Sequence, residues 1–211
     1  MKVHQDGPFK GLLENGYGTL YLDPPWRFKT FTEDPGDRAP PYPTMSMEEI
    51  AALPISELAA RHCWMFCWTS GPYLPFTLEI IRQWGFRYST RAFTWVKLKR
   101  TGDGFHRGLG MTTRKNTEEV ILAKLGSPPV IHRPDELLVT DADGDQVPDT
   151  EVCLTPVREH SRKPDEIRQR VASLGKGPRL ELFARQRAPG WDAWGNDTGK
   201  WAPLKEASHG E

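Results

Sequence analysis

The chain has 211 residues, enough to bury one sizeable core and too few for two generous domains. Lys+Arg and Asp+Glu each number 28, so the formal net charge is zero, which excludes a strongly basic protein that coats nucleic acid but not a local basic face. Cys63, Cys67 and Cys153 lack metal-like spacing and suit a reducing, cytoplasmic setting. No signal-like stretch follows Met1, and no run of ~18 apolar residues could span a bilayer.

Taken in chain order, residues 1–17 form an N-terminal segment, and the run Thr19-Leu20-Tyr21-Leu22 predicts a buried strand over 18–23. It stops abruptly at Asp23-Pro24-Pro25-Trp26. Residues 45–60 predict one or two short helices, opened by Ser46 with Glu49 three positions on, a capping box. A strand follows over 63–70, then an amphipathic helix over 75–86 that stops at Gly85. Residues 91–100 and 117–126 predict strands around a Gly-rich loop. A helix over 163–175 has Pro164 near its start and Gly175 at its end, and a last strand covers 178–185. Cys63 and Cys67 lie four apart on one strand, so both face the core. This alternation predicts an α/β domain over 18–200, with a mostly parallel sheet and helices on both faces; residues 201–211 read as a tail.

In such a sheet, ligands bind outside the carboxyl ends of the strands, where Asp23-Pro24-Pro25-Trp26 sits. An aromatic exocyclic amine is a poor nucleophile, because its lone pair is delocalised into the ring. The Asp23 carboxylate and the Pro24 carbonyl could hold both of its N–H groups and favour attack. The prolines stiffen the carbonyls, and Trp26 offers a face on which a base could stack.

"DPPW", with "PYPTMSMEEI", "FCWTS", "FTWVK", "EHSRKPDEI", "RLELFAR" and "GWDAWGN" in order, resembles the MT-A family of N(6)-adenine methyltransferases over roughly residues 18–199. These are bacterial and phage relatives of the catalytic subunit of the eukaryotic mRNA adenosine methyltransferase. The resemblance implies a Rossmann-like class I methyltransferase fold with permuted motif order, the catalytic strand near the N-terminus and the cofactor strand near the C-terminus. It implies S-adenosylmethionine as cofactor, with S-adenosylhomocysteine as product. Asp23, Pro24, Pro25 and Trp26 match the catalytic motif, and Asp23 would also lie near the cofactor's methionine part. Lys163 matches a lysine that contacts the cofactor carboxylate; Glu181, Leu182 and Arg185 match the cofactor strand, and Asn196 matches a further cofactor contact. Tyr42, Thr44, Met45 and Lys97 match positions beside the substrate opening, and Arg100 and Arg114 lie on the basic loop expected to touch a polynucleotide.

The acidic segment 133–155 departs from the family pattern. Asp141, Asp143, Asp145 and Asp149 mimic a calcium loop, but the glycine is misplaced and Val152 stands where a bidentate Glu belongs, so an acidic surface hairpin is expected instead. No metal is suggested, and His160 is the one histidine near the expected site. The expected activity is methyl transfer to adenine N6 in a polynucleotide, DNA ahead of RNA. The expected partners are nucleic acid and, at most, a second copy of the chain as a homodimer, with no membrane. The alternatives are RNA methylation, an inactive binding scaffold of the same fold, and a small-molecule methyltransferase.

Overall fold

A computed structural model of the chain describes residues 2–27, 42–110, 112–129, 138–140, 146–148 and 150–202. Its centre is a seven-stranded sheet. Strand β1 (Tyr17–Leu22) pairs parallel with β2 (Ala59–Thr69) on one side and with β8 (Arg179–Leu182) on the other. Beyond β2 comes β4 (Thr117–Leu125), antiparallel to both β2 and β3 (Arg87–Leu98). Strand β7 (Val152–Pro156) closes one edge against β3, and β9 (Asp192–Trp194) closes the other against β8, both parallel. The expected α/β fold with a mostly parallel sheet is borne out; β4 alone runs against the rest.

Alternation along the strands explains the two layers. Leu20 and Leu22 of β1, with Cys63, Met65 and Cys67 of β2, join a core that takes in Ile50 of helix α1 (Met47–Ala51) and Ile80 and Ile81 of α2 (Leu74–Gln83). Tyr21, Trp64, Phe66 and Trp68 face the opposite layer and meet Ile167 and Val171 of α3 (Asp165–Leu174). Helices therefore cover both faces, and β2 is apolar on both because both are buried. Burial pushes the Cys63 thiol up to about 12 and the Cys67 thiol higher still, so these are packing groups.

Local signals act as their chemistry dictates. Ser46 Oγ accepts from Glu49 N–H at 3.1 Å and Glu49 Oε2 accepts from Ser46 N–H at 2.6 Å, the capping box expected at α1. Gly85 ends α2 in the left-handed region (φ +81), with Phe86 N–H donating back to Ile81 O at 3.1 Å. Gly175 has a different reason. Its φ is an extended −107, but a Cβ there would lie 2.3 Å from Thr19 Oγ1, so the glycine lets the end of α3 sit against β1.

The segment 133–155 divides in two. Backbone strands β5 (Leu138–Thr140) and β6 (Gln146–Pro148) pair antiparallel, the hairpin expected, whereas Val152–Pro156 belongs to the main sheet. Asp141, Asp143, Asp145 and Asp149 lie outside the described residues. Among the described residues, no helix is long and apolar enough to cross a membrane, and no group of three or more His, Cys, Asp or Glu side chains could hold a metal ion.

A buried ion pair joins α3 to β8 inside the second layer. Arg168 Nε donates to Glu181 Oε2 at 2.7 Å and Nη2 to Oε1 at 3.1 Å, both residues being 8% exposed. Such a pair is costly to bury and costlier to break. Glu181→Leu alone should destabilise the protein by about 3–5 kcal/mol, because it leaves a buried guanidinium with Asp165 as its one remaining carboxylate, while Glu181→Leu with Arg168→Met should recover most of that loss. Denaturant melts of the singles and the double, analysed as a cycle, measure the difference.

Candidate active site

From the carboxyl end of β1 the chain turns toward β2, and from the end of β8 it turns the opposite way, toward β9. The crevice between adjacent strands whose connections part in this manner is where α/β sheets bind ligands. Asp23 stands there. The Trp26 N–H donates to Pro24 O at 2.9 Å, a tight three-residue turn, and Met45 N–H donates to Pro25 O at 2.9 Å while Arg27 N–H donates to Met45 O at 3.1 Å. The motif is thus pinned on both sides, and among the described residues the Pro24 carbonyl accepts this one hydrogen bond, which leaves it a second lone pair.

Lys163, just before α3, places its Nζ 2.9 Å from Asp23 Oδ2 and 3.2 Å from Glu118 Oε2. Lys97 also donates to Glu118 through Oε1, and Arg185 Nη2 lies 3.6 Å from Asp23 Oδ2. Two carboxylates thus face three cations. Burial alone disfavours the Lys163 ammonium, but the charges of Asp23 and Glu118 outweigh it and hold the group above its ordinary value. Burial likewise works against the Glu118 carboxylate, and Lys163 and Lys97 overcome it and hold the group below its ordinary value. Among the described residues, Asp23 Oδ1 has no hydrogen-bond partner.

The Asp23–Lys163 pair lines both of two adjoining open clefts. The first runs toward β8 and is lined by Tyr21, Phe183, Arg162, Arg185, Gln186 and Trp201. The second runs toward β4 and is lined by Pro24, Trp26, Tyr42, Thr69, Ser70 and Glu118. Trp68 and Ser161 belong to both. An acceptor carboxylate between two adjoining pockets is a geometry for passing a group from one bound molecule to another.

A model of the MT-A70 family matches residues 17–197. The chain belongs to the MT-A70 family. It is 28% identical over 211 aligned positions to the type II methyltransferase M.MunI of a Mycoplasma species, a match covering 90% of this chain and 81% of the relative. It is 27% identical to the mouse N(6)-adenine-specific methyltransferase METTL4, across 88% of this chain and 38% of the relative. Identity to the human N(6)-adenosine-methyltransferase catalytic subunit METTL3 is 26%, across 85% of this chain and 28% of that protein. The chain therefore spans well under half the length of the two mammalian relatives. The family and the methyltransferase class expected from the motifs are both borne out.

Within this MT-A70 chain the expected residues are sorted unevenly. Asp23, Lys163 and Arg185 converge. Lys163, expected to meet a ligand carboxylate, is instead engaged by two protein carboxylates. Glu181 lines the first cavity but is spent on Arg168. The Leu182 side chain is fully buried in the main core, which leaves only its backbone near a ligand, and Asn196 is exposed just past β9. Trp26 is 7% exposed and stacks on Tyr73 at 5.6 Å, so the ring anchors the motif and most of its face is unavailable to a base. Met45 grips the motif backbone. Tyr42 lies over the Arg185 guanidinium at 4.8 Å and donates to Ser161 Oγ at 3.3 Å. Lys97 is paired with Glu118 and lies 5.0 Å from the Trp95 ring centroid, so it is no free phosphate contact. Arg100 and Arg114 are exposed on the loop after β3, with Arg100 Nη2 donating to Arg158 O at 3.1 Å. His160 is held below its ordinary value by burial and then by Arg185 and Lys163, which keeps its ring neutral at pH 7.

Sequence reasoning missed Glu118, Ser161 and Phe183. Glu118 reaches the site because β4 runs backwards, so that its first residues lie at the carboxyl ends of its neighbours. Ser161 (φ +63) and Phe183 (φ +60) hold left-handed backbone without being glycine, a strain that nothing in a residue name announces.

Glu118 and Lys163 also set a pH dependence. Glu118 titrates lower in the folded protein than in the unfolded chain, so its contribution is present above its unfolded value, about 4.3, and is lost as pH falls through the folded one. Lys163 titrates higher when folded, so its contribution is complete below its unfolded value, about 10.4, and is lost as pH rises through the folded one. Denaturation midpoints taken from pH 3 to 7 should fall more steeply toward acid for the wild type than for Glu118→Gln.

Proposed function

We propose that this chain transfers a methyl group from S-adenosylmethionine to the exocyclic N6 of adenine in a polynucleotide, with DNA as the substrate in preference to RNA. The observation that carries this reading is the position of Asp23, at the switch point of the sheet and in the wall shared by the two cavities. Family membership and the methyltransferase names of the relatives support the chemistry. The relative matched over most of its length carries the type II name given to DNA-modifying enzymes, which favours DNA.

The first cavity suits the methyl donor. Its walls combine aromatic surface (Tyr21, Trp68, Phe183) with cations, and Arg185 keeps a buried Nη1 without a hydrogen-bond partner among the described residues, a donor that awaits an acceptor. S-adenosylmethionine would supply an electrophilic methyl group there. The second cavity would take the base. Asp23 Oδ1 accepts one N6–H and the spare lone pair of the Pro24 carbonyl accepts the other, which orients the nitrogen and disperses positive charge as it develops. Lys163 and Arg185 fix the other oxygen of Asp23, so the free oxygen is presented in one direction. As the nitrogen becomes more acidic, its proton passes to Asp23 Oδ1 or to water.

Methylation of defined single- and double-stranded DNA and RNA, followed by nucleoside mass spectrometry, should yield N6-methyladenine, most abundantly in DNA; methylation confined to RNA would overturn the preference. Asp23→Ala, assayed well below its melting temperature, should slow single-turnover methylation by about 10²–10³, or ~3–4 kcal/mol of barrier; its melt should also shift down, because Lys163 loses one of its two compensating carboxylates. An active Asp23→Ala enzyme would remove the carboxylate from the chemistry.

Despite zero net charge, binding of nucleic acid should be salt-sensitive, through the exposed Lys99, Arg107, Arg114 and Lys115. Each phosphate contact should add about 0.7–0.9 to the log–log salt slope, and reversing the charge of Arg107, Arg114 and Lys115 together should flatten it. An unchanged slope would move the nucleic-acid surface elsewhere.

A further inference from the structure

The last described residues fold back as a strap over the carboxyl end of β8. Trp201 N–H donates to Arg185 O at 3.3 Å, and Gln186 Nε2 donates to Ala202 O at 2.6 Å. Gln186 is 2% exposed, so this second clip is internal. The strap brings Trp201 into the lining of the first cavity. There its indole carries two arginines: Arg162 Cζ and Arg185 Cζ each lie 5.1 Å from a Trp201 ring. The ring of Tyr42 lies 4.8 Å from Arg185 Cζ as well.

A guanidinium held by its face keeps its N–H donors free at its edge. In this cluster two donors are unused. Among the described residues, Arg162 Nε and Arg185 Nη1 are buried without a hydrogen-bond partner, although Arg162 Nη1 serves Glu159 at 3.1 Å and Arg185 Nη2 serves Ser161 O at 3.0 Å. Buried donors without partners are rare in folded proteins and call for an acceptor that the protein itself does not supply. Planar forks of this kind match an anionic, two-oxygen group. Of the other cations nearby, Lys163 bonds Asp23 and Glu118, Arg168 bonds Glu181 and Asp165, and Lys200 Nζ lies 6.0 Å from a Trp201 ring, so the buried donors left over belong to the two arginines.

We propose that Trp201 is a donor-binding residue: with Arg162 and Arg185 stacked on it, it forms a clasp for the carboxylate of the amino-acid arm of the methyl donor. This rests on the donor reading of the first cavity given above. The strap is then part of the binding site, and the indole sets the direction in which both arginines offer their N–H groups. The same clasp chemistry would suit a phosphate of the polynucleotide, and the ligands of the test separate the two.

Calorimetric titration of the full chain with S-adenosylhomocysteine, with 5′-methylthioadenosine (the same nucleoside thioether without the amino-acid arm) and with an adenine-containing oligonucleotide provides the test. Trp201→Ala should weaken S-adenosylhomocysteine by about tenfold or more while leaving 5′-methylthioadenosine and the oligonucleotide within about twofold. Trp201→Phe, which keeps a stacking face, should restore most of the loss. Equal losses for both nucleosides would show a collapsed cavity and not a clasp, and overturn the assignment, as would a loss confined to the oligonucleotide. Unchanged binding of S-adenosylhomocysteine by Trp201→Ala would overturn the clasp while leaving the donor cavity standing; a wild-type protein that binds neither nucleoside would overturn both.

Discussion

The site depends on one buried ammonium. Lys163 has a side chain only 12% exposed, and a cation so placed must be compensated or it will shed its proton. Asp23 and Glu118 compensate it, and in doing so they bind together the end of β1, the start of β4 and the entrance to α3. The contact joins residues 140 positions apart, so it forms only when the sheet is complete. Its second consequence is spatial. The pair, with Trp68 and Ser161, borders both clefts.

Lys163 is itself positioned by a chain of ion pairs. Arg158 donates to the Lys163 carbonyl at 2.6 Å and to Asp165 Oδ2 at 2.7 Å; Arg168 takes the other oxygen of Asp165 at 3.0 Å and the buried Glu181. The first turn of α3 is thereby fastened to β8, and the loop before it inherits that rigidity. Backbone strain is stored in the same place. Ser161 and Phe183, both in the lining of the first cavity, sit left-handed, each at a cost of about 1–3 kcal/mol that the surrounding contacts must overcome. Ser161 is held from both sides, by Arg185 on its carbonyl and Tyr42 on its hydroxyl. Under the proposed mechanism, in which two acceptors are aimed at one nitrogen, such stiffness is a gain.

Zero net charge conceals an uneven distribution. Lys97, Lys163, Arg168 and Arg158 are consumed by buried or half-buried carboxylates. Lys99, Arg107, Arg114 and Lys115 on the loop after β3 are exposed. Cations inside the crevice thus serve geometry, and those on the loop remain available to a polyanion.

Much of this was legible in the sequence, wherever the signal is local. The run from Thr19 to Leu22 stopping at two prolines, the Ser46–Glu49 capping box, Gly85 beyond α2 and the paired cysteines of β2 each specify their structure through neighbours in the chain. The ordered motifs placed Asp23, Lys163 and Arg185 in one family site. What the tertiary structure alone decided is partnership. Nothing near Glu118 in the chain shows that a reversed strand carries it to Lys163, or that Lys97 would be taken from the nucleic-acid face to meet it. Glu181 looked free to hold a ligand until α3 presented Arg168, and Trp26 looked like an open platform until Tyr73 covered it. Strands β7 and β9 are too short to show a period, and they exist because β3 and β8 offer edges to pair with. Conformation follows from adjacent residues, whereas the fate of a buried charge or ring depends on the group that long-range packing sets against it.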